Sequence, residues 1–181
     1  TLWMMNNYKP KYVVGNTYHK LAQTENAANA FGPWNPAEFT VEDSAFGFIV
    51  MENGATIYLE SSWALNSLDV GEAQTTLHGT QGGADMKDGL RINGEADGMM
   101  YDKTMVLEPG GVDFYDGSGD DPAYLEAKQW IESIQNDTEP VVSPEQALVV
   151  TQILEAIYQS AKTGAPVYIN QHKEELGKIL V

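Results

Sequence analysis

The stretch "SAFGFIVMENGATIYLESSW", residues 44–63, decides the fold. Its first eight residues alternate, with Phe46, Phe48 and Val50 on one side of an extended chain. "ENGA" interrupts the run, and Asn53-Gly54 is a preferred pair for a type I′ hairpin turn. "ATIYLESSW" then returns, with Ala55, Ile57, Leu59, Ser61 and Trp63 on one face and Thr56, Tyr58, Glu60 and Ser62 on the other. Both strands are too apolar on both sides for either side to face only water. A second covering surface, such as another subunit, is therefore expected beyond the domain's own core.

Upstream, "KYVVGNTY" (11–18) is rich in β-branched and aromatic residues and reads as a strand. Before it, "TLWMMNN" reads as the end of a helix, terminated by Asn6 and Asn7 and sealed by Pro10. Between the strands, "HKLAQTENAANAFGPWNPAEFT" (19–40) has no clean period. So long a stretch inside a domain is usually functional or disordered, and Phe31, Trp34 and Phe39 argue against disorder.

Downstream, residues 72–83 supply a further strand and a glycine turn, and short strands are expected at 90–93, 97–101 and 103–107. An acidic, glycine-rich loop, "EPGGVDFYDGSGDD" (108–121), follows. Asp121 can cap a helix opening at Pro122, with an apolar stripe through Ala123, Ala127, Trp130, Ile131 and Ile134. Ser143-Pro144-Glu145-Gln146 is a capping box with proline at the first helical position. Leu148, Val149, Ile153, Leu154, Ile157 and Ala161 then form an expected buried face, and Gly164 and Pro166 end the helix. Strands grouped before helices indicate an α+β fold, an open, mostly antiparallel sheet with helices on one face. The expected division is one domain over 1–168 and a helical tail over 169–181.

The chain has 181 residues and a formal net charge of −16, from ten Lys+Arg against 26 Asp+Glu. Such a surface repels phosphate backbones and anionic lipid, which argues against nucleic-acid or membrane partners. The absence of cysteine excludes disulfides, zinc-thiolate sites and cysteine nucleophiles, and fits a cytoplasmic setting. No apolar run approaches the roughly 20 residues that span a bilayer. In that compartment the sequon Asn136-Asp137-Thr138 is incidental.

No Gly-x-Gly-x-x-Gly, Walker A loop, His-Glu-x-x-His pair or Gly-x-Ser-x-Gly elbow occurs. Asp113, Asp116, Asp120 and Asp121 do not fall in the register of a calcium loop, and no cluster suits a metal. His19, His78 and His172 have no carboxylate at a spacing that fixes a tautomer. Trp34, between two prolines, is either a loop anchor or a wall for a ligand such as a sugar ring. After Trp63, the residues Asn66, Ser67 and Asp69 either make a plain loop or offer groups for binding hydroxyls.

Three stretches in order, "GPWNPAEFTVEDSAFGFIVMENGATIYLESSWALN", "LHGTQGGADM" and "EPVVSPEQALVVTQILEAIYQSAKTGAPV", resemble the C-terminal domain of the Gfo/Idh/MocA oxidoreductases. These are the relatives of glucose-fructose oxidoreductase and inositol dehydrogenase. The resemblance implies a two-domain, NAD- or NADP-dependent dehydrogenase acting on sugars or cyclitols. It places the nucleotide and a catalytic Glu-Lys-Pro lysine in a Rossmann domain, and an Asp and a His on the helix that opens the C-terminal domain. None of these catalytic motifs has a counterpart here, so no catalytic or cofactor-binding residue is carried over. The chain is thus expected to be a fragment, inactive alone and binding NAD(H) no better than background. On the substrate side, the resemblance points to Trp63, Asn66, Ser67 and Asp69 near the nicotinamide cleft, and to Trp34 and Asn35 on the pocket wall. It also implies a homo-oligomer paired through one sheet face. The competing reading is a stand-alone, non-enzymatic sugar-binding or protein-interaction module.

Overall fold

A computed structural model describes residues 1–21, 23–24, 34–68, 71, 73–87, 89–105 and 122–169. They divide into two compact units, one within Thr1–Leu68 and Val142–Val181, the other within Asp69–Val141. The chain thus leaves the first unit after Leu68 and re-enters it at Val142. The architecture is α+β with two antiparallel four-stranded sheets.

In the first unit, helix α1 (Leu2–Met5) is closed by Asn6 in the left-handed region at φ 46°, as the asparagines promised. Strand β1 (Pro10–Tyr18) pairs antiparallel with β2 (Ser44–Met51), and β2 with β3 (Thr56–Ser62). The β2–β3 turn differs in kind from the expected type I′. Only Gly54 takes a positive φ, 86°, while Met51 N–H donates to Ala55 C=O at 2.8 Å. This three-residue loop spends Asn53 otherwise, since its Oδ1 accepts from Ala55 N–H and from the Asn7 side chain. After the second unit comes helix α3 (Pro144–Thr163), opened by the reciprocal Ser143–Gln146 capping box and closed by Gly164 at φ 68°. A strand the sequence did not announce, β8 (Val167–Tyr168), then pairs with β1, giving the order β3-β2-β1-β8.

The core lies between this sheet and α3. It is built from Val13, Ile49 and Met51 of the strands, Ile153, Ala156 and Ile157 of the helix, and Ile169. Two glycines opposite each other, Gly15 and Gly47, make room for Ile157. A Cβ at Gly15 would lie 2.8 Å from Ile157 Cγ2, and one at Gly47 2.6 Å from Ile157 Cδ1. Gly15 N–H donates to the buried Ser160 hydroxyl at 3.0 Å, so the helix also satisfies a strand donor. The helix face is rotated from the expected one. Ser160 and Ala156 are buried, while Leu148 and Leu154 are exposed. Small residues win because the helix sits close to the glycine pair.

The opposite sheet face carries Tyr12, Val14, Tyr18, Phe46, Phe48, Tyr58 and Tyr168. Val14, Phe48 and Tyr58 form one cross-strand row, and Tyr12 meets Tyr168 with ring centroids 5.4 Å apart. Tyr58 is 66% exposed.

The second unit holds β4 (Leu77–His78), β5 (Gly82–Asp85), β6 (Leu90–Ala96), β7 (Met99–Met105) and helix α2 (Pro122–Asn136). The three short strands expected after residue 90 are two seven-residue strands in continuous pairing. Asp97 and Gly98, at φ 54° and 75°, make the two-residue turn between them. The Arg91 guanidinium bonds both carboxylate oxygens of Asp85, at 2.8 and 2.5 Å, and holds that carboxyl below its ordinary pKa. On α2, Trp130, Ile131 and Ile134 are exposed. The acidic loop, Asp121 and the tail beyond Ile169 lie outside the described residues.

Candidate functional site

Two of the expected substrate-side residues of the first unit, Trp34 and Trp63, come together where β1 ends, β2 begins and β3 ends. Trp34 and Trp63, 29 positions apart by their numbering, meet edge to face with ring centroids 5.4 Å apart and planes at 83°. Phe39 completes the group, 4.5 Å from Trp63 and 6.4 Å from Trp34. Trp63 remains 39% exposed, so the three rings form a ledge rather than a core. Asn35 plays a structural part, because its Oδ1 accepts from Ala37 N–H at 3.1 Å and caps the 3-10 turn Pro36–Glu38. Asn66 and Ser67 are exposed in the segment leaving β3, where Ser67 N–H donates to Leu65 C=O. Asp69 lies outside the described residues.

Two acidic residues that the sequence pattern did not single out hold this corner together. Glu42 C=O accepts from the Trp63 indole N–H at 2.7 Å, and its carboxylate accepts from the Tyr158 hydroxyl of α3 at 2.6 Å. Asp43 is 2% exposed. Its Oδ2 accepts from Leu21 N–H at 2.7 Å and its Oδ1 from the Ser44 hydroxyl at 3.0 Å. Its backbone N–H donates to Tyr18 C=O, and its C=O accepts from Trp63 N–H and the Ser62 hydroxyl. The available signal was "VED" directly before an apolar strand. A carboxylate there must either be solvated or find donors as the chain turns inward.

The Glu42 carboxylate, through this hydrogen bond, raises the Tyr158 pKa above the ordinary tyrosine value; partial desolvation adds to the shift. Because the folded value is the higher one, this contact stabilises the fold below the ordinary tyrosine pKa. That contribution is lost as pH rises through the folded value. A difference titration at 295 nm, wild type against Tyr158→Phe, should show one phenol ionising later than free tyrosine. Glu42→Gln should bring it back down. An unchanged titration in Glu42→Gln would show that the carboxylate does not set it.

Among the described residues no three His, Asp or Glu side chains converge as a metal site would require. No helix among them is long and apolar enough to cross a membrane.

Against known proteins, the profile "Oxidoreductase family, C-terminal alpha/beta domain" of the Gfo/Idh/MocA group matches residues 8–169. D-glucoside 3-dehydrogenase of Escherichia coli K12 is 29% identical over 161 residues, 87% of this chain but 42% of that protein. The chain therefore spans less than half the length of that curated relative. A levoglucosan dehydrogenase solved with NADH and L-sorbose shares the fold at TM-score 0.62 and 20% identity, over 89% of this chain and 45% of that one. An Agrobacterium radiobacter oxidoreductase solved with NAD+, L-tartaric acid and magnesium does so at TM-score 0.60 and 18% identity, over 91% and 44%.

Proposed function

The chain belongs to the Gfo/Idh/MocA oxidoreductase family through its C-terminal alpha/beta domain, and on that footing we propose that it is the substrate-side and subunit-pairing domain of a nicotinamide-dependent sugar dehydrogenase. The observation that carries this reading is the ledge of Trp34, Phe39 and Trp63, with the exposed Asn66 and Ser67 following Trp63 along the chain. A pyranose presents an apolar face and a rim of hydroxyls. Flat aromatic surface takes the first, and amide and hydroxyl groups the second. The glucoside dehydrogenase relative makes a glucose-like ring the favoured substrate class. Asp69 joins the set of proposed contacts, and Asn35 contributes by shaping the turn that presents Trp34.

The described residues do not fit the nucleotide. A dinucleotide rests on a glycine-rich turn between a parallel strand and a helix, and every strand pairing among the described residues is antiparallel. The NAD or NADP, with the hydride chemistry it supplies, is accordingly assigned to a Rossmann-type domain of the parent enzyme. The domain described here would position the sugar. The exposed Tyr58 face would pair subunits.

The test is an assay of the complete reading frame containing this chain, with glucose, glucosides and inositols, following nicotinamide reduction at 340 nm. Turnover of at least one is expected. Trp34→Ala should raise KM about tenfold or more while kcat stays within about twofold, as for a contact made equally in ground and transition states. No turnover with any of them, or Trp34→Ala kinetics equal to wild type, would sink the reading. For the 181-residue chain alone, calorimetry with NADH should give only background heat, and a micromolar dissociation constant would contradict the division of labour.

A further inference from the structure

Two Asn-Gly pairs occur in the chain, Asn53-Gly54 and Asn93-Gly94, and the fold puts them in opposite situations. Such a pair is chemically reactive. A glycine nitrogen, with no Cβ on its own residue to obstruct it, can attack the side-chain amide carbon of the asparagine before it. Asn93-Gly94 lies inside β6, between β5 and β7. Gly94 is buried and stands opposite Gly82 on one side and Tyr101 on the other. The Asn93 side chain receives Gly83 N–H at 2.6 Å. In a strand the side chain stands roughly perpendicular to the sheet, away from the next peptide nitrogen.

Asn53-Gly54 instead occupies the exposed loop between β2 and β3. Asn53 Oδ1 accepts from Ala55 N–H, two residues on, at 3.1 Å. This Asx turn folds the side chain back over the Asn53–Gly54 peptide and carries its amide carbon toward the Gly54 nitrogen. A second donor, the Asn7 side-chain amide, bonds the same oxygen at 3.0 Å. Two donors on one carbonyl oxygen polarise its carbon and stabilise the negative charge that grows there under attack. The approach is open, since a Cβ on Gly54 would meet no described atom within 4 Å. One bond opposes the reaction, Gly54 N–H to Met51 C=O at 3.0 Å. It belongs to an exposed turn, and such bonds open at far lower free energy than a strand paired on both sides.

We propose that Asn53 is a site of spontaneous covalent modification in the folded chain, while Asn93 is protected by its strand. The Gly54 nitrogen bonds to Asn53 Cγ, the Cγ–Nδ2 bond breaks, and the Gly54 proton leaves with the amine as ammonia. Water then opens the resulting succinimide ring at one of its two carbonyls. Opening at Cγ leaves aspartate, and opening at the Asn53 main-chain carbonyl leaves isoaspartate. Either way one water is consumed, one ammonia is lost, and a neutral amide becomes a carboxylate. Aspartate keeps an acceptor for both donors. Isoaspartate carries the former side-chain carbonyl into the backbone, lengthens the loop, and gives up the bonds to Ala55 and Asn7.

Incubation of the 181-residue chain at mildly alkaline pH, in buffer and in urea, followed by peptide mapping in a mass spectrometer, reads both sites in one sample. In urea the two pairs should convert at comparable rates. In buffer Asn53 should convert at least about tenfold faster than Asn93, the difference between opening a turn and opening a strand. Enzymatic methylation of the isoaspartate carboxyl should label the peptide that holds residue 53. Asn53→Gln, whose ring would need six members, should lose that label while the amides of β1 and β2 stay protected from exchange. Conversion of Asn93 as fast as Asn53 in buffer would overturn the proposal. So would an Asn53 still intact in buffer when urea has converted it fully, because the native turn would then guard the amide. An Asn53→Gln chain labelled like wild type would place the modification elsewhere and overturn it too.

Discussion

Ile157→Ala should lower the stability of the first unit by about 2–5 kcal/mol. The side chain is 2% exposed and sits over two glycines that lack a Cβ, so the sheet has nothing to move into the vacated space. The converse change should hurt by overfilling. Gly15→Ala places a methyl 2.8 Å from Ile157 Cγ2 and 3.1 Å from its Cα, and the second of these is backbone. The helix must then lift, at about 1–3 kcal/mol. Gly47→Ala meets only the Ile157 side chain at close range, with Cδ1 nearest. In an Ile157→Ala background its cost should largely vanish, a coupling of about 1 kcal/mol or more between touching sites. Urea unfolding followed through the slowest-exchanging amides of β1 and β2 reads all three. Strict additivity of Gly47→Ala and Ile157→Ala would show that the glycines are not there for Ile157.

On the other side of the same sheet, Tyr58→Asp should weaken self-association about 30-fold or more and leave folding nearly untouched. Tyr58 is 66% exposed and stands opposite Phe48, which stands opposite Val14, so the substitution sets a charge in an apolar row. Buried aromatics at the centre of an interface typically carry at least about 2 kcal/mol each, which is the stated factor. As a surface change, its effect on the monomer should stay within about 0.5 kcal/mol, apart from the lost cross-strand contact with Phe48. Sedimentation at tens of micromolar separates the outcomes. A monomeric wild-type chain would remove the pairing role from this face.

Much of this was legible in the sequence for definite physical reasons. Alternating residues flanking a glycine turn produced the β2–β3 hairpin, and Ser143 with Gln146 produced a helix start that the hydrogen bonds reproduce. Trp34 stood out by its place between two prolines in a long loop and Trp63 by the polar loop that follows it, and the family resemblance pointed to both; the two rings meet, 5.4 Å between centroids. Other features were hidden by competing signals. Asn53-Gly54 has the composition of a two-residue turn, yet Asn53 is drawn into bonds with Ala55 and Asn7. Asp97-Gly98 is where such a turn forms, masked by the polar residues of β6 and β7. Strand β8 is two residues long, too short to show any period, and exists because β1 has an open edge. The burial of Asp43 is announced by no local pattern, because burial is a property of the assembled chain.

The interrupted course of the chain also bears on how it is made. The Gly15 N–H finds its acceptor 145 residues later, at Ser160, and β1 gains its outer neighbour only at Val167–Tyr168. On a ribosome, β1, β2 and β3 emerge early and can form their ladder, but Val13, Ile49 and Met51 then face solvent. They stay bare while the entire 69–141 unit is synthesised, several seconds or more at about 5–20 residues per second. Through that interval the half-sheet is apolar on both sides, and a chaperone or a sister chain could seize it. The order of synthesis, rather than final stability, therefore sets the period of greatest aggregation risk, and it closes when the last turns of α3 come down on the glycine pair.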